Sequence, residues 1–145
     1  RYNPSGNVLA VDYKFPFEDD VFDFVILTSV FTHMLPADLE NYLTEITRVL
    51  KTGGKCFITY FILNDKSISM INENKSHFSL KHKYGDCRIE SLEDPEYVIA
   101  YPENKIIDMY KKCNIEVLNT YYGNWSGREG FTSFQDILVG KKIGK

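Results

Sequence analysis

Three consecutive segments, FDFVILTSV (Phe22 to Val30), PADLENYLTEITRVL (Pro36 to Leu50) and KCFITYFIL (Lys55 to Leu63), decide how this chain folds. The first is almost continuously apolar and rich in β-formers, the pattern of a central strand in a parallel sheet covered on both faces. The second changes period: Leu39, Tyr42, Leu43, Ile46, Val49 and Leu50 fall three or four apart and make one apolar helical stripe. Pro36 suits the first turn, where a backbone N–H has no partner to lose. Asp38 and Glu40 near the start, and Arg48 and Lys51 near the end, are well placed against the helix dipole. Gly53 and Gly54 supply the left-handed residue expected to end such a helix. Strand, helix, Gly-Gly, strand is a βαβ unit, so the fold class is α/β.

Working outward, Asn7 to Val11 (NVLAV) is a short apolar run read as a buried strand, preceded by the turn-forming Asn3-Pro4-Ser5-Gly6. From Asn64 to Glu96 the composition shifts to Asn, Ser, Lys, His and Asp with no sustained period, read as an irregular insertion or lid. Tyr97 to Tyr101 makes an extra strand. Glu103 to Cys113 is helical, with Ile106, Ile107, Tyr110 and Cys113 on one side and Asn114 as terminator. Ile115 to Tyr122 and Phe134 to Lys142 are two strands joined by the glycine-containing loop Gly123 to Ser133, and this pair closes the sheet.

The chain has 145 residues, enough for one domain, and its 43% hydrophobic content marks it as globular. Twenty acidic and seventeen basic side chains give a net charge of -3. That balance argues against nucleic acid or an anionic membrane as partner, since both call for a basic face. Three cysteines without a CxxC pair exclude a disulfide framework or zinc cluster and fit a reducing, cytoplasmic setting. His77 and His82 lack metal-ligand spacing, so no metal is expected. No apolar run approaches the about 20 residues needed to span a bilayer, and no basic stretch followed by an apolar one marks a signal peptide in the first residues given.

Phe15-Pro16-Phe17, Phe22-Asp23, Thr28 to His33 and Glu45 to Gly54 (EITRVLKTGG), in that order and spacing, resemble the class I S-adenosylmethionine-dependent methyltransferases. The resemblance covers nearly the whole chain. It implies a doubly wound, Rossmann-like, mostly parallel sheet with an antiparallel C-terminal strand pair, the cofactor S-adenosyl-L-methionine, and methyl transfer to a small-molecule acceptor. The family's glycine-rich loop, which lets the backbone approach the cofactor, has no counterpart before Phe15. The chain is therefore expected to be the C-terminal part of a domain, with its N-terminal strands missing. Two other readings stay open: a nucleotide-binding oxidoreductase with a similar sheet, and a truncated or degenerate domain acting as a non-catalytic interaction module.

In such sheets ligands bind beyond the carboxyl ends of the strands. Asp12 resembles the family's adenine-side acid, or is a strand-end turn residue. Phe15 and Phe17 wall the adenine or are core. By the same resemblance, Thr28, Ser29 and Val30 end the strand that runs past the methionine end of the cofactor; alternatively they cap a short helical turn. His33 is the candidate general base; the alternative is a histidine bonded to a backbone carbonyl. Tyr60, Phe61, Trp125 and Arg128 form a candidate substrate wall with a cationic anchor, or a loop with a tucked Trp and a solvated Arg. The oligomeric state is not legible.

Overall fold

The computed structural model describes residues 5–144; the turn expected at Asn3 to Gly6 lies partly outside them. The βαβ unit is present. Strands β1 (Phe22–Leu27) and β2 (Leu50–Tyr60) pair in parallel, joined through helix α1 (Pro36–Val49). Pro36 occupies the first turn as its missing N–H allows.

Gly53-Gly54 do not end this helix. Its last carbonyls are already satisfied, since Asp20 N–H donates to the Arg48 carbonyl at 3.0 Å and Val21 N–H to that of Val49 at 2.9 Å. Leu50 is therefore free to turn extended, and its side chain is fully buried. The two glycines instead shape a bulge inside β2, where the register jumps from Phe22 against Leu50 to Phe24 against Lys55. Gly53 has φ +85°, and a Cβ on Gly54 would lie 2.8 Å from the Lys51 carbonyl oxygen and 3.1 Å from that of Phe22.

The main sheet runs β1-β2-β8-β7, where β7 is Ile115–Tyr121 and β8 is Asp136–Lys142. Both β2–β8 and β8–β7 are antiparallel, so the expected C-terminal pair closes a mixed sheet. Cys56, Ile58 and Tyr60 alternate along β2 onto one face and meet Leu39, Leu43 and Ile46 of α1. Ile106, Met109 and Tyr110 of α3 (Glu103–Lys112) complete that core. On β1 the alternate residues Phe24 and Ile26 are 48% and 59% exposed, and among the described residues the outer edge of β1 has no strand partner.

The segment from Asn64 to Glu96 is more regular than its composition suggests. It holds helix α2 (Asp65–Asn72) and the hairpin β4 (His82–Tyr84) and β5 (Cys87–Ile89). With β3 (Ile62–Leu63) and β6 (Ile99–Pro102) these strands form a second sheet, β3-β6-β5-β4. A second core of Phe61, Leu63, Ile71, Leu80, Val98, Ala100 and Trp125 lies with it. Asn7 to Val11 is not a strand: Ala10–Asp12 forms a 3-10 turn. Asn41 of α1 donates to the carbonyls of Ala10 (2.8 Å) and Tyr13 (2.9 Å), which ties this segment to the helix instead of a ladder.

Candidate functional site

Glu45 and Arg48 lie three residues apart on one face of α1 and hold the Phe15-Pro16-Phe17 loop. The Phe15 N–H donates to Glu45 Oε2 at 2.7 Å, and Arg48 Nη2 donates to the Phe15 carbonyl at 3.0 Å. Arg48 Nη1 reaches the Phe17 carbonyl (2.8 Å) and Asp19 (2.7 Å), while Nε and Nη2 pair with both oxygens of Glu45. The hydrogen bonds from Arg48 hold the Glu45 carboxyl below its ordinary range, against the opposing effect of burial. Two of the spaced motifs in the sequence are thus the two halves of one clamp. Phe15 is half-buried edge-on against Tyr42, with centroids 5.1 Å apart, whereas Phe17 is 50% exposed. Asp12 is exposed in its turn.

Beyond β1 the chain carries Thr28, Ser29 and Val30, then a 3-10 turn, Phe31–His33. Ser29 adopts φ +56°, a left-handed conformation that is uncommon for a residue with a Cβ. It is held there by its N–H, which donates to Thr59 Oγ1 at 2.9 Å, and by its hydroxyl, which donates to Gln135 Oε1 at 3.2 Å. Thr28 is exposed and Val30 half-buried. Phe31 and Thr32 are fully buried and anchor the turn that presents half-buried His33. His33 Nδ1 lies 3.1 Å from the Glu96 carbonyl. A carbonyl only accepts, so Nδ1 carries the proton, and in the neutral ring the lone pair is on Nε2.

The four residues read as a substrate wall separate. Tyr60 and Phe61 are adjacent in sequence and point to opposite sides. Tyr60 enters the main core, its hydroxyl donating to that of Tyr110 at 3.1 Å, while Phe61 enters the second core against Trp125 at 5.2 Å. Tyr60 and Trp125 are 0% exposed and Phe61 is 2%, so none of the three offers a surface to a ligand. Arg128 is built into the fold: its guanidinium lies 4.5 Å from the Tyr122 ring centroid and donates to Asn64 Oδ1. Asn64 caps α2 and donates to Glu103, which also accepts from the Tyr122 hydroxyl.

A densely bonded residue at this end of the sheet is Asp136, which the sequence did not single out. It is 1% exposed and accepts from Trp125 Nε1 (2.6 Å), the Ile62 N–H (2.7 Å) and the Gly123 N–H (2.7 Å). It thereby joins the start of β3, the loop after β7 and the start of β8. Burial pushes its carboxyl up to about 6, with the three donors acting in the opposite direction. A lone Asp before an apolar strand carries no sequence signal of such a role.

Known proteins resemble the chain in sequence and in fold. A family profile described as a methyltransferase domain matches residues 2–58. The chain is 33% identical over 119 residues to sterol 4-C-methyltransferase strm-1 of Caenorhabditis elegans, covering 81% of this chain and 33% of that protein. The chain thus spans about one third of the curated relative's length. Among solved structures, an S-adenosylmethionine-dependent methyltransferase of Methanosarcina mazei superposes with a TM-score of 0.62 at 16% identity, over 95% of this chain and 66% of that one. A 1,6-didemethyltoxoflavin N1-methyltransferase of Burkholderia thailandensis, solved with its acceptor and S-adenosylhomocysteine, gives 0.57 at 12% identity, over 93% and 48%. None of the described helices is long and apolar enough to cross a membrane. With the order of its motifs, its sheet topology and its relatives in agreement, the chain carries part of a methyltransferase domain and has the fold of the class I S-adenosylmethionine-dependent methyltransferases.

Proposed function

We propose that the complete protein transfers a methyl group from S-adenosylmethionine to a small-molecule acceptor, and that the acceptor is a sterol. The observation that carries methyl transfer is the carboxyl end of β1, where Ser29 is held in a strained conformation beside exposed Thr28 and the His33 turn. Support for the sterol comes from the nematode relative, whose printed activity is sterol 4-C-methylation. The net charge of -3 favours an uncharged small acceptor over a polyanion.

The residues present fit part of the cofactor. Exposed Asp12 offers a carboxylate to an amine, Phe17 an exposed ring, and Thr28, Ser29 and Val30 line the methionine side. Phe15 supports this wall from behind, packed on Tyr42. S-adenosylmethionine, when bound, supplies the methyl group already activated as a sulfonium, so positioning of the acceptor dominates the catalysis. His33 is the group for accepting the acceptor's proton, at Nε2. The glycine-loop half of the pocket would stand against the unpartnered edge of β1, covering Phe24 and Ile26. The three free cysteines suit a cytoplasmic setting.

The exposed edge also favours a second reading, a non-catalytic module that uses this edge to bind a partner. Two measurements separate the two. Transfer of labelled methyl from S-adenosylmethionine to a sterol by the complete protein supports the enzyme, and no transfer to any sterol or other lipophilic acceptor refutes it. Calorimetry of the 145-residue chain with S-adenosylmethionine is expected to show no tight binding; micromolar affinity would refute the need for a separate glycine loop.

A further inference from the structure

A group of aromatic side chains at the ligand end of the sheet remains without a role. Phe134 lies just before β8, whose first residue pairs with Tyr60 at the carboxyl end of β2. The next residue, Gln135, is the hydroxyl partner of Ser29. Phe134 is therefore one residue from a side chain that reaches the end of β1. It is 42% exposed and makes ring contacts with His77 (5.3 Å, 88°), Phe78 (6.1 Å) and Phe61 (6.2 Å). His77 is exposed and meets Phe78 edge to face at 4.9 Å.

This cluster is rigidly backed. Behind it, Phe61 packs on Phe78 at 5.1 Å and on Trp125 at 5.2 Å, and both Phe61 and Trp125 are buried. The His77 N–H donates to the Trp125 carbonyl at 2.7 Å, and the Ser76 hydroxyl to the same oxygen at 3.3 Å. Two glycines permit the close fit: a Cβ on Gly127 would lie 2.5 Å from the Lys75 carbonyl oxygen, and one on Gly123 2.2 Å from that of Phe134. The 64–96 segment is thus latched onto the loop before β8, and the latch presents fixed rings rather than a mobile flap.

We propose that His77, Phe78 and Phe134 form the acceptor wall of the methyltransferase site, and that this wall takes the flat apolar face of a sterol. The proposal rests on the sterol methyl-transfer function proposed above. Preorganised aromatic rings bury an apolar face without ordering their own side chains, and a ring system is the ligand shape that uses several of them together. The carboxyl end of β1 next to the wall is where the acceptor atom must reach the methyl.

Trp125, the single Trp of the chain, reports on this surface from behind. Energy transfer from Trp125 to dehydroergosterol, delivered from cyclodextrin, measures binding to the 145-residue chain without any cofactor. Saturable transfer is expected for the wild type, with affinity falling about tenfold in Phe134→Ser and several-fold in His77→Ala. Phe24→Ser, on the exposed sheet edge, should leave affinity unchanged. Circular dichroism verifies each fold, and Phe134→Leu, which keeps bulk but removes the ring, substitutes should Phe134→Ser unfold. Absence of transfer in the wild type, unchanged affinity in the wall variants, or loss confined to Phe24→Ser each overturns the wall. Those results leave methyl transfer itself standing, since only the labelled-methyl assay refutes that.

Discussion

Replacing Asp136 by Asn removes a buried charge while keeping the shape that joins the two cores. In the wild type, burial raises the carboxyl from 3.8 to about 6. The folded state therefore binds a proton more tightly than the unfolded chain. The stability this contributes is fully present below the unfolded value and lost as pH rises toward 6. Linkage gives about 2.5 kcal/mol lost between pH 4 and pH 7. Asn cannot titrate. It also offers one acceptor atom where the carboxylate offered two oxygens to three donors, a pH-independent cost of about 1–3 kcal/mol for the orphaned N–H. Urea unfolding followed by Trp125 fluorescence from pH 4 to pH 7 reads both effects. The wild-type advantage over Asp136→Asn should shrink by about 2.5 kcal/mol across that range. Glu45, whose carboxyl is lowered, drives stability the other way, but it is common to both proteins and drops out of the difference. A difference that stays constant with pH would refute the claim that desolvation outweighs the three donors.

Other substitutions test other parts of the structure. Gly54→Ala should lower stability by about 2–3 kcal/mol, seen as a Tm lower by roughly 5–10 °C, because the new Cβ meets backbone carbonyls that cannot swing away. Iodoacetamide at pH 8 should alkylate half-buried Cys113 first, since burial pushes the Cys56 and Cys87 thiols up to about 11; mass spectrometry of the native protein gives the order. In the complete protein, His33→Asn should reduce turnover about 100-fold with binding largely kept, and unchanged turnover would remove the base role.

The βαβ unit was legible because its elements are long and their periods distinct: six residues of β1, all apolar but Asp23, then an apolar stripe along the fourteen residues of α1. The segment from Asn64 to Glu96 was not, because its elements are short. Helix α2 has eight residues, and β4 and β5 have three each, too few for a period to show. Local signals existed all the same. Asn64 and Ser67 form a reciprocal cap, and Gly85-Asp86, with Gly85 at φ +57°, sits at the hairpin turn. Asn7 to Val11 misled on both counts, since it joins no ladder and its Val8, Leu9 and Val11 are exposed at 58%, 71% and 39%. The burial of Tyr60, Phe61 and Trp125, read as wall residues, was hidden for a similar reason. Sequence shows that Phe61 and Trp125 are large and apolar, but not which ring lies behind another. That order is set by Asp136, whose hold on the Trp125 indole draws Trp125 inward.

The partners of Arg48 are carboxylates and backbone carbonyls of its own chain, and those of Glu45 are Arg48 and the Phe15 amide. Selection for a stable fold alone is enough to keep both. A lineage that stopped transferring methyl groups would go on inheriting Glu45, Arg48 and the loop they grip for as long as the domain folded. The signature by which such chains are recognised is therefore a fossil of architecture, carried as faithfully by a retired enzyme as by a working one.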